Sequence, residues 1–578
     1  MSLLYILLVT TLFALNVRGF PAQASLVSLN QTVQGRVFAA APLARPCYSI
    51  YEGQSVPEYP VQCAQVEAQY TSGLYRTELY NGFMHDQAET CPSSSDPITS
   101  QCLLDPTQPI ARGPPRNASC GQGSVSTYYV EVSSAADVQA VFAFAKQTGT
   151  SLSIKNSGHD YSSRSSLRGS LAIWTRKLQN TEYHPNFNPE GCQGNANQYN
   201  AITVGAGANF DQVYKFADQN NVIFVGGSSP TVGASGGFMM TGGHGLLSSQ
   251  FGLGIDRVME FKIVTPDGVF RTANACQNQD LYWALRGGGG ATYGVVIEST
   301  SKVEPSVPLV LSLIQLPANA TKPSKDQFTQ LLMDGAIRWA REGWGGPNSP
   351  SFMVMVNPFI DLETARKSMA AISDYAKSQG GSVILETHPT FLSLYSQYIA
   401  PTANGDVATS AITTNRLIPN SILNSTTGQA DILKVLDKLA ADGFRPTIFA
   451  TTPAYYNYMP GSTSATPAWR NSTWMITTQT AWAWNSTVSQ KRAMVKKLKG
   501  ATHDLEALAP TSGSYFSESN PWVEDWQQAW WGDNYNELLR LKKKFDPDNL
   551  LTCLRCVGWD QESEQQRKAF DCMEGLNN

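Results

Sequence analysis

Three stretches of the chain join glycine to polar side chains at spacings that suit an anionic ligand. Lys155-Asn156-Ser157-Gly158-His159-Asp160-Tyr161 follows an apolar run. Gly226-Gly227-Ser228-Ser229-Pro230-Thr231-Val232-Gly233-Ala234-Ser235-Gly236-Gly237 continues to Gly242-Gly243-His244-Gly245, and Arg286 precedes Gly287-Gly288-Gly289-Gly290. Without Cβ atoms, successive backbone N–H groups can turn into one concavity and hold a phosphate without a buried counter-charge. Two such loops in one domain suit a diphosphate between them, although any one of them could be only a set of tight turns. A dinucleotide fingerprint is a rival reading. Gly205-Ala206-Gly207-Ala208-Asn209-Phe210 lies between a strand and a helix, but Phe210 holds the place of its third glycine. Cys553-x-x-Cys556 has the spacing of a redox or zinc pair. No second pair or histidine cluster accompanies it, so a structural disulfide is expected and no metal site.

The elements that must carry these loops are legible from residue 128 onward. Residues 129–132 read as a strand, Ser134 as the N-cap of a helix over 137–148, and Gly149 as its stop. Residues 151–155 are the next strand. The pattern returns with a strand at 202–204, a helix over 210–220 and a strand at 222–225, which argues for small α/β layers. Strands at 259–265 and 269–272 are joined by Pro266-Asp267-Gly268, a turn sequence. A helix is expected over 281–285 and extended chain over 294–299. From about 305 to 505, strand candidates at 309–316, 351–357, 381–386 and 474–481 alternate with helices over 325–341 and 363–379. That region reads as a second, α+β domain. Pro547 stops the helix that ends in Lys542-Lys543-Lys544.

With these motifs in place, residues 125–300 resemble the FAD-binding domain of the p-cresol methylhydroxylase/vanillyl-alcohol oxidase superfamily. Gly158-His159-Asp160-Tyr161, Pro230-Thr231-Val232-Gly233 with Gly236-Gly237, and Ala284-Leu285-Arg286-Gly287 with Tyr293-Gly294-Val295-Val296 carry the likeness. The end of the chain, Trp531-Gly532-Asp533-Asn534-Tyr535 through Phe545-Asp546-Pro547-Asp548-Asn549-Leu550, is similar to the berberine-bridge-enzyme tail. The long Cys-bearing N-terminus is closer to secreted fungal members of the isoamyl-alcohol-oxidase-like branch. The resemblance implies an α+β protein. A PCMH-type FAD-binding domain of two α/β subdomains (122–304) would be joined to a substrate domain with an antiparallel sheet covered by helices (305–505). A C-terminal segment (506–578) would return to the FAD domain, and a signal peptide (1–19) and an extension (20–121) would precede it.

The same resemblance assigns residues. His159 occupies the place of the histidine that bonds covalently to the flavin 8α-methyl, with Lys155, Asn156, Ser157, Gly158 and Asp160 around it. Ser229, Pro230, Thr231, Val232, Gly233, Gly236, Gly237, Gly242, Val296, Asn534 and Asn549 are further cofactor-binding expectations; Asn549 could equally be a turn residue. Some relatives add a second bond from a cysteine just before Pro-Thr-Val-Gly. Ser229 stands there, and its hydroxyl is too poor a nucleophile, so attachment through His159 alone is expected. His244 reads as a loop or packing histidine. Residues 514–518 match a family strand that lines the substrate side, with Glu518 or Tyr515 as the candidate base. A surface Glu and a core Tyr are the plain alternatives. Aromatics at Tyr455, Tyr456, Tyr458, Trp474, Trp482 and Trp484 suit either a stacked pocket or the buried face of strands.

Composition narrows the class. Hydrophobic residues make up 42% and charged residues 15%, with 13 Trp, 23 Tyr and 23 Phe, which excludes a disordered or collagenous chain. Lys+Arg 42 against Asp+Glu 46 leaves −4, with no basic block, so no nucleic-acid partner is expected. The apolar run of residues 3–15, followed by Val17-Arg18-Gly19, reads as a secretory signal rather than a membrane span. Clustered cysteines near both ends suggest disulfides in an oxidising compartment, extracellular or vacuolar. Sequons at Asn30, Asn117, Asn319, Asn424, Asn471 and Asn485 permit glycosylation. The expected activity is a flavin oxidase that takes hydride from a small alcohol, or from a polyketide- or terpenoid-like substrate, and passes it to O2, with secondary metabolism as an expected setting. The alternatives are a flavin dehydrogenase or oxidative cyclase with another acceptor, and a secreted binding protein without catalysis.

Overall fold

The computed structural model describes residues 23–86, 101–112, 119–193, 198–403 and 407–577. The signal-peptide expectation and Asn117 lie outside them. Among the described residues, no helix is long and apolar enough to cross a membrane.

The first lobe is built on parallel strands Tyr128–Glu131, Leu171–Trp174 and Leu152–Lys155. Helix Ala135–Thr148 packs beside them, capped by Ser134 with a reciprocal Asp137 bond and ended by left-handed Gly149 (φ 68°). The N-terminal extension contributes a fourth strand, Val37–Ala39, antiparallel to Tyr128–Glu131. Its helix Gln23–Thr32 and the turn that follows place Leu29 and Val33 in the same core as Val138, Val141 and Phe142. That order was not visible in a stretch with little periodicity.

The second lobe is a five-stranded antiparallel sheet in the order Phe270–Asn274, Val258–Val264, Val295–Lys302, Tyr199–Gly205, Thr181–Phe187. The strand expected at 222–225 shortens to Val222–Ile223. It pairs with Glu304–Pro305 outside that sheet, so strand, helix and strand here do not form one layered unit. Thr265 and Asp267 close the expected turn, with Gly268 at φ 80°.

The second domain is a seven-stranded sheet in the order Ser382–His388, Leu309–Gln315, Phe352–Asn357, Gly346–Ser349, Thr447–Ala450, Ser472–Trp482, Ser410–Pro419. Its pairs are antiparallel. Helices Lys322–Glu342 and Val488–Leu508 pack on this sheet, and Thr426–Ala441 packs on both of them. The helix expected over 363–379 breaks at Met369 into Leu362–Ser368 and Ala370–Ser378, while Ala365, Met369, Ile372 and Ala376 keep one buried face. The fold class read from the sequence holds. Disulfides Cys47–Cys63, Cys102–Cys120, Cys192–Cys276 and Cys553–Cys556 join eight of the described cysteines, so the Cys553-x-x-Cys556 pair is a disulfide. Asn319, Asn424, Asn471 and Asn485 are exposed; Asn30 is half-buried and its side-chain oxygen accepts from the Val37 N–H.

Candidate active site

A cavity of about 440 Å³ runs between the two lobes and the seven-stranded domain. Strand Leu152–Lys155 delivers the first loop into it: Asn156, Ser157, Gly158, His159 and Asp160 all line the wall. Gly158 takes φ 90°, and a Cβ there would meet Gly82 O and Phe83 Cα at 3.1 Å, so only glycine lets the chain of the extension pass this close. The opposite loop brings Ser229, Val232, Gly233, Gly236 and Gly237, and Val296 comes from the sheet behind.

The two loops are locked to each other. The Ser157 hydroxyl accepts from the Gly233 N–H at 3.3 Å. The Asn156 amide donates to Ala206 O and, at 3.3 Å, to Ser235 O. A Cβ on Gly233 would collide with Asn156 Nδ2 at 2.4 Å.

The residues present fit FAD. A Cβ built on Gly237 meets nothing within 4 Å, and one on Gly236 meets only Asn156 Nδ2 at 4.0 Å, so the floor between the loops is bare backbone. Asn156 Oδ1 is buried without a hydrogen-bond partner, an acceptor suited to a hydroxyl of a sugar-like chain. Arg164 also lines the wall. It donates to Leu554 O at 3.0 Å and Phe516 O at 3.2 Å, and its guanidinium stacks on the Phe516 ring at 4.0 Å. Burial lowers it to about 10, which leaves it cationic at neutral pH.

His159 Nε2 lies 2.7 Å from Thr231 Oγ1. Burial, reinforced by the nearby Lys155 charge, pushes the imidazole down to about 3, so it is neutral across the physiological range. Thr231 therefore acts from behind His159 and does not line the cavity.

Other expected cofactor residues also lie elsewhere. The Lys155 ammonium points away, over the rings of Tyr80, Phe83 and Trp174 at 5.8, 5.1 and 5.8 Å. Pro230 is behind the wall, its carbonyl accepting from the Asp211 N–H at 3.0 Å. Gly242 backs onto the Tyr515 ring. The Asn534 amide donates to Ser464 O and Ala465 O, holding a loop rather than facing the cavity. Asn549 is exposed, at φ 50°, a turn residue after Pro547.

Apolar Phe238, Phe449, Ala403 and Val407 also line the wall. Tyr515, Ser517 and Glu518 reach the same cavity. The expected strand there is instead a short 3₁₀ turn, Phe516–Glu518. Asn415, from the strand Ser410–Pro419, holds that turn. Its amide donates to Tyr515 O and Glu518 O, both at 3.0 Å, and its oxygen accepts from the Tyr515 N–H at 2.7 Å. The cofactor-side loop grips it too, since the Ser162 hydroxyl donates to Ser519 O at 2.9 Å.

Glu518 Oε1 lies 3.3 Å from His244 Nε2, and His244 Nδ1 lies 2.9 Å from Thr451 Oγ1. His244 also lines the cavity. Burial, with the Glu518 charge, pushes the Tyr515 hydroxyl up to about 12. None of Tyr455, Tyr456, Tyr458, Trp474, Trp482 or Trp484 lines the cavity, and Trp474 and Trp482 are core residues of one strand. The sequence reading did not find His85, Arg164, Asn415 or Thr451. None of them belongs to a glycine motif, and Asn415 lies on a strand buried throughout its length, which shows no alternation.

Residues 126–274 match the family described as FAD binding domain, and residues 454–553 the family described as berberine and berberine like. The FAD-linked oxidoreductase ffsJ of Aspergillus flavipes is 44% identical over 575 residues, covering 93% of this chain and 92% of that protein. The VAO-type flavoprotein MtVAO713 of Myceliophthora thermophila C1 superposes with a TM-score of 0.82 at 25% identity, over 94% of this chain and 96% of its own. The glucooligosaccharide oxidase of Acremonium strictum, which carries a 6-S-cysteinyl, 8α-N1-histidyl FAD, shares the fold. Its TM-score is 0.62 at 19% identity, over 75% of this chain and 92% of its own.

Proposed function

Because the chain belongs to the FAD-linked oxidoreductases of the vanillyl-alcohol-oxidase and berberine-like type, we propose that it is an oxidase of apolar alcohols with FAD tethered through His159 alone. One observation carries the reading: a single cavity is lined by the glycine cradle, His159, Glu518 and the apolar side chains of Phe238, Phe449, Ala403 and Val407. Bound FAD would supply the two-electron acceptor, taking hydride from the carbinol carbon and passing the electrons to O2 as H2O2.

The chain's own residues supply the rest. His159 is neutral, and Thr231 occupies its Nε2, which leaves the Nδ1 lone pair for the 8α carbon. That nitrogen matches the 8α-N1-histidyl bond of the Acremonium enzyme. Ser229 lines the cavity where a second, cysteinyl bond would require a thiol. Tyr515 keeps its proton at neutral pH, so it donates hydrogen bonds, and Glu518 is left as the group that accepts the substrate hydroxyl proton. Phe238, Phe449, Ala403 and Val407 offer no hydrogen bonds to a polyhydroxylated sugar and favour a hydrophobic, polyketide- or terpenoid-derived alcohol. The disulfides and the apolar leader favour the secretory pathway, extracellular or vacuolar.

The test is an H2O2 screen of the purified protein against aliphatic, benzylic and polyketide-derived alcohols beside an oligosaccharide panel. Peroxide from the alcohols alone is expected. A response confined to sugars overturns the substrate class, and substrate-reduced flavin that stays reduced in air overturns the oxidase.

A further inference from the structure

We infer that the N-terminal extension is a third wall of the cofactor site, and that His85, which it supplies, is a cofactor-contacting residue. The extension precedes the matched FAD-binding region, which begins at residue 126. Yet His85 lines the same cavity as His159. Its ring stacks on Tyr161 with centroids 4.1 Å apart and stands edge-on to His159 at 6.0 Å.

The backbone around His85 is fixed on both sides. The Met84 N–H donates to Gly158 O at 3.1 Å, the Asp86 N–H to Thr409 O at 2.9 Å, and the Ala408 N–H to Met84 O at 3.0 Å. The extension therefore spans from the loop that carries His159 to the edge of the seven-stranded domain, where Val407 is also a cavity residue.

The segment is built to close as one piece. Arg76 and Asp86 form an ion pair of 2.8 Å with side chains 0% and 3% exposed. Arg76 donates further to Tyr70 O at 2.6 Å and Phe83 O at 2.5 Å. A buried pair of this kind resists partial opening, because separating it strands a charge away from water. Tyr48, Val66, Tyr70 and Met84 share their small core with Val407 and Ala408. A core that small depends on staples, here Cys47–Cys63 and Cys102–Cys120. Cofactor retention is thereby coupled to disulfides that lie outside the FAD-binding domain.

This rests on the cavity being the FAD site; the tether enters only through the choice of background. The experiment measures the FAD dissociation constant of full-length His159→Ala, alone and with His85→Ala, His85→Phe or the pair Cys102→Ala/Cys120→Ala added. His85→Ala and the cysteine pair are each expected to weaken FAD binding at least tenfold. His85→Phe, which keeps a ring on Tyr161, is expected to stay within threefold of the background. Unchanged affinity in both the His85→Ala and the cysteine variants overturns the inference. Covalent flavin persisting in His159→Ala would instead overturn the tether, and the His85 effect is then read as flavin content per chain. Should His85→Ala not fold, hydrogen exchange of residues 70–86 in His159→Ala decides: FAD is expected to protect them, and no protection overturns the inference.

Discussion

Nε2 of His159 and the hydroxyl of Thr231 lie 2.7 Å apart, so one ring nitrogen is occupied by the protein and the other is left for the proposed flavin bond. Removing the hydroxyl with Thr231→Val leaves the imidazole free to take the other tautomer. Covalent flavin incorporation into apoprotein is expected to slow about tenfold, equal to about 1.4 kcal/mol of barrier. His159→Ala abolishes it, so that all flavin is extracted by acid; mass spectrometry of the peptide containing residue 159 reads both.

Glu518 is the proposed base. Glu518→Gln keeps the shape and removes the proton acceptor, and is expected to cost about 10²–10⁴ in kcat with little change in KM. Tyr515→Phe should cost far less, because Tyr515 is protonated throughout the working range. Steady-state H2O2 production with the best alcohol from the screen separates the two.

Ser229 lines the cavity two residues from Thr231, with their hydroxyls 3.3 Å apart. Ser229→Cys places a thiol where the Acremonium-type second bond would form. A flavin peptide that crosslinks residues 159 and 229 is expected, and its absence would mean that the flavin edge lies away from this loop.

The pH behaviour follows from the lowered imidazole. Covalent incorporation should show no inflection near pH 6.5, since His159 in the fold stays neutral down to about pH 3. Stability of the apoprotein has the matching sign. Between about pH 6.5 and 3 the unfolded chain takes up a proton at His159 and the folded one does not, so acidification destabilises the fold through that window. His159→Ala should flatten that part of the urea-midpoint profile.

Asn415 makes three hydrogen bonds to the turn that carries Glu518. Asn415→Ala strips a buried N–H and two carbonyls of their partner, at about 1–3 kcal/mol for each group left unsatisfied. A lower thermal midpoint is expected together with a fall in kcat larger than any change in KM, because the carboxylate loses its aim.

The sequence made the glycine-loop wall of the cavity legible and left most of the wall around Glu518 hidden, for a physical reason. Phosphate cradles need consecutive glycines, and a short run such as Gly233 with Gly236-Gly237 announces itself in one dimension. Glu518, His244 and Asn415 meet only through three separate elements, and nothing in the local spacing of any one of them points to the others. The extension was the least legible part. Its Val37–Ala39 strand and Gln23–Thr32 helix are ordered by partners that lie about 100 residues downstream.

The turn that carries Glu518 is held by the loop around the cofactor cradle, through Ser162 and Arg164, whereas Phe449, Ala403 and Val407 belong to the seven-stranded domain or the segment beside it. Asn415, on the outer strand of that same sheet, grips the turn as well, so the two scaffolds meet at residue 518. An exchange of the aliphatic and aromatic lining is therefore felt at the Glu518 carboxylate, and a lineage that adopts new metabolites has to keep this junction intact.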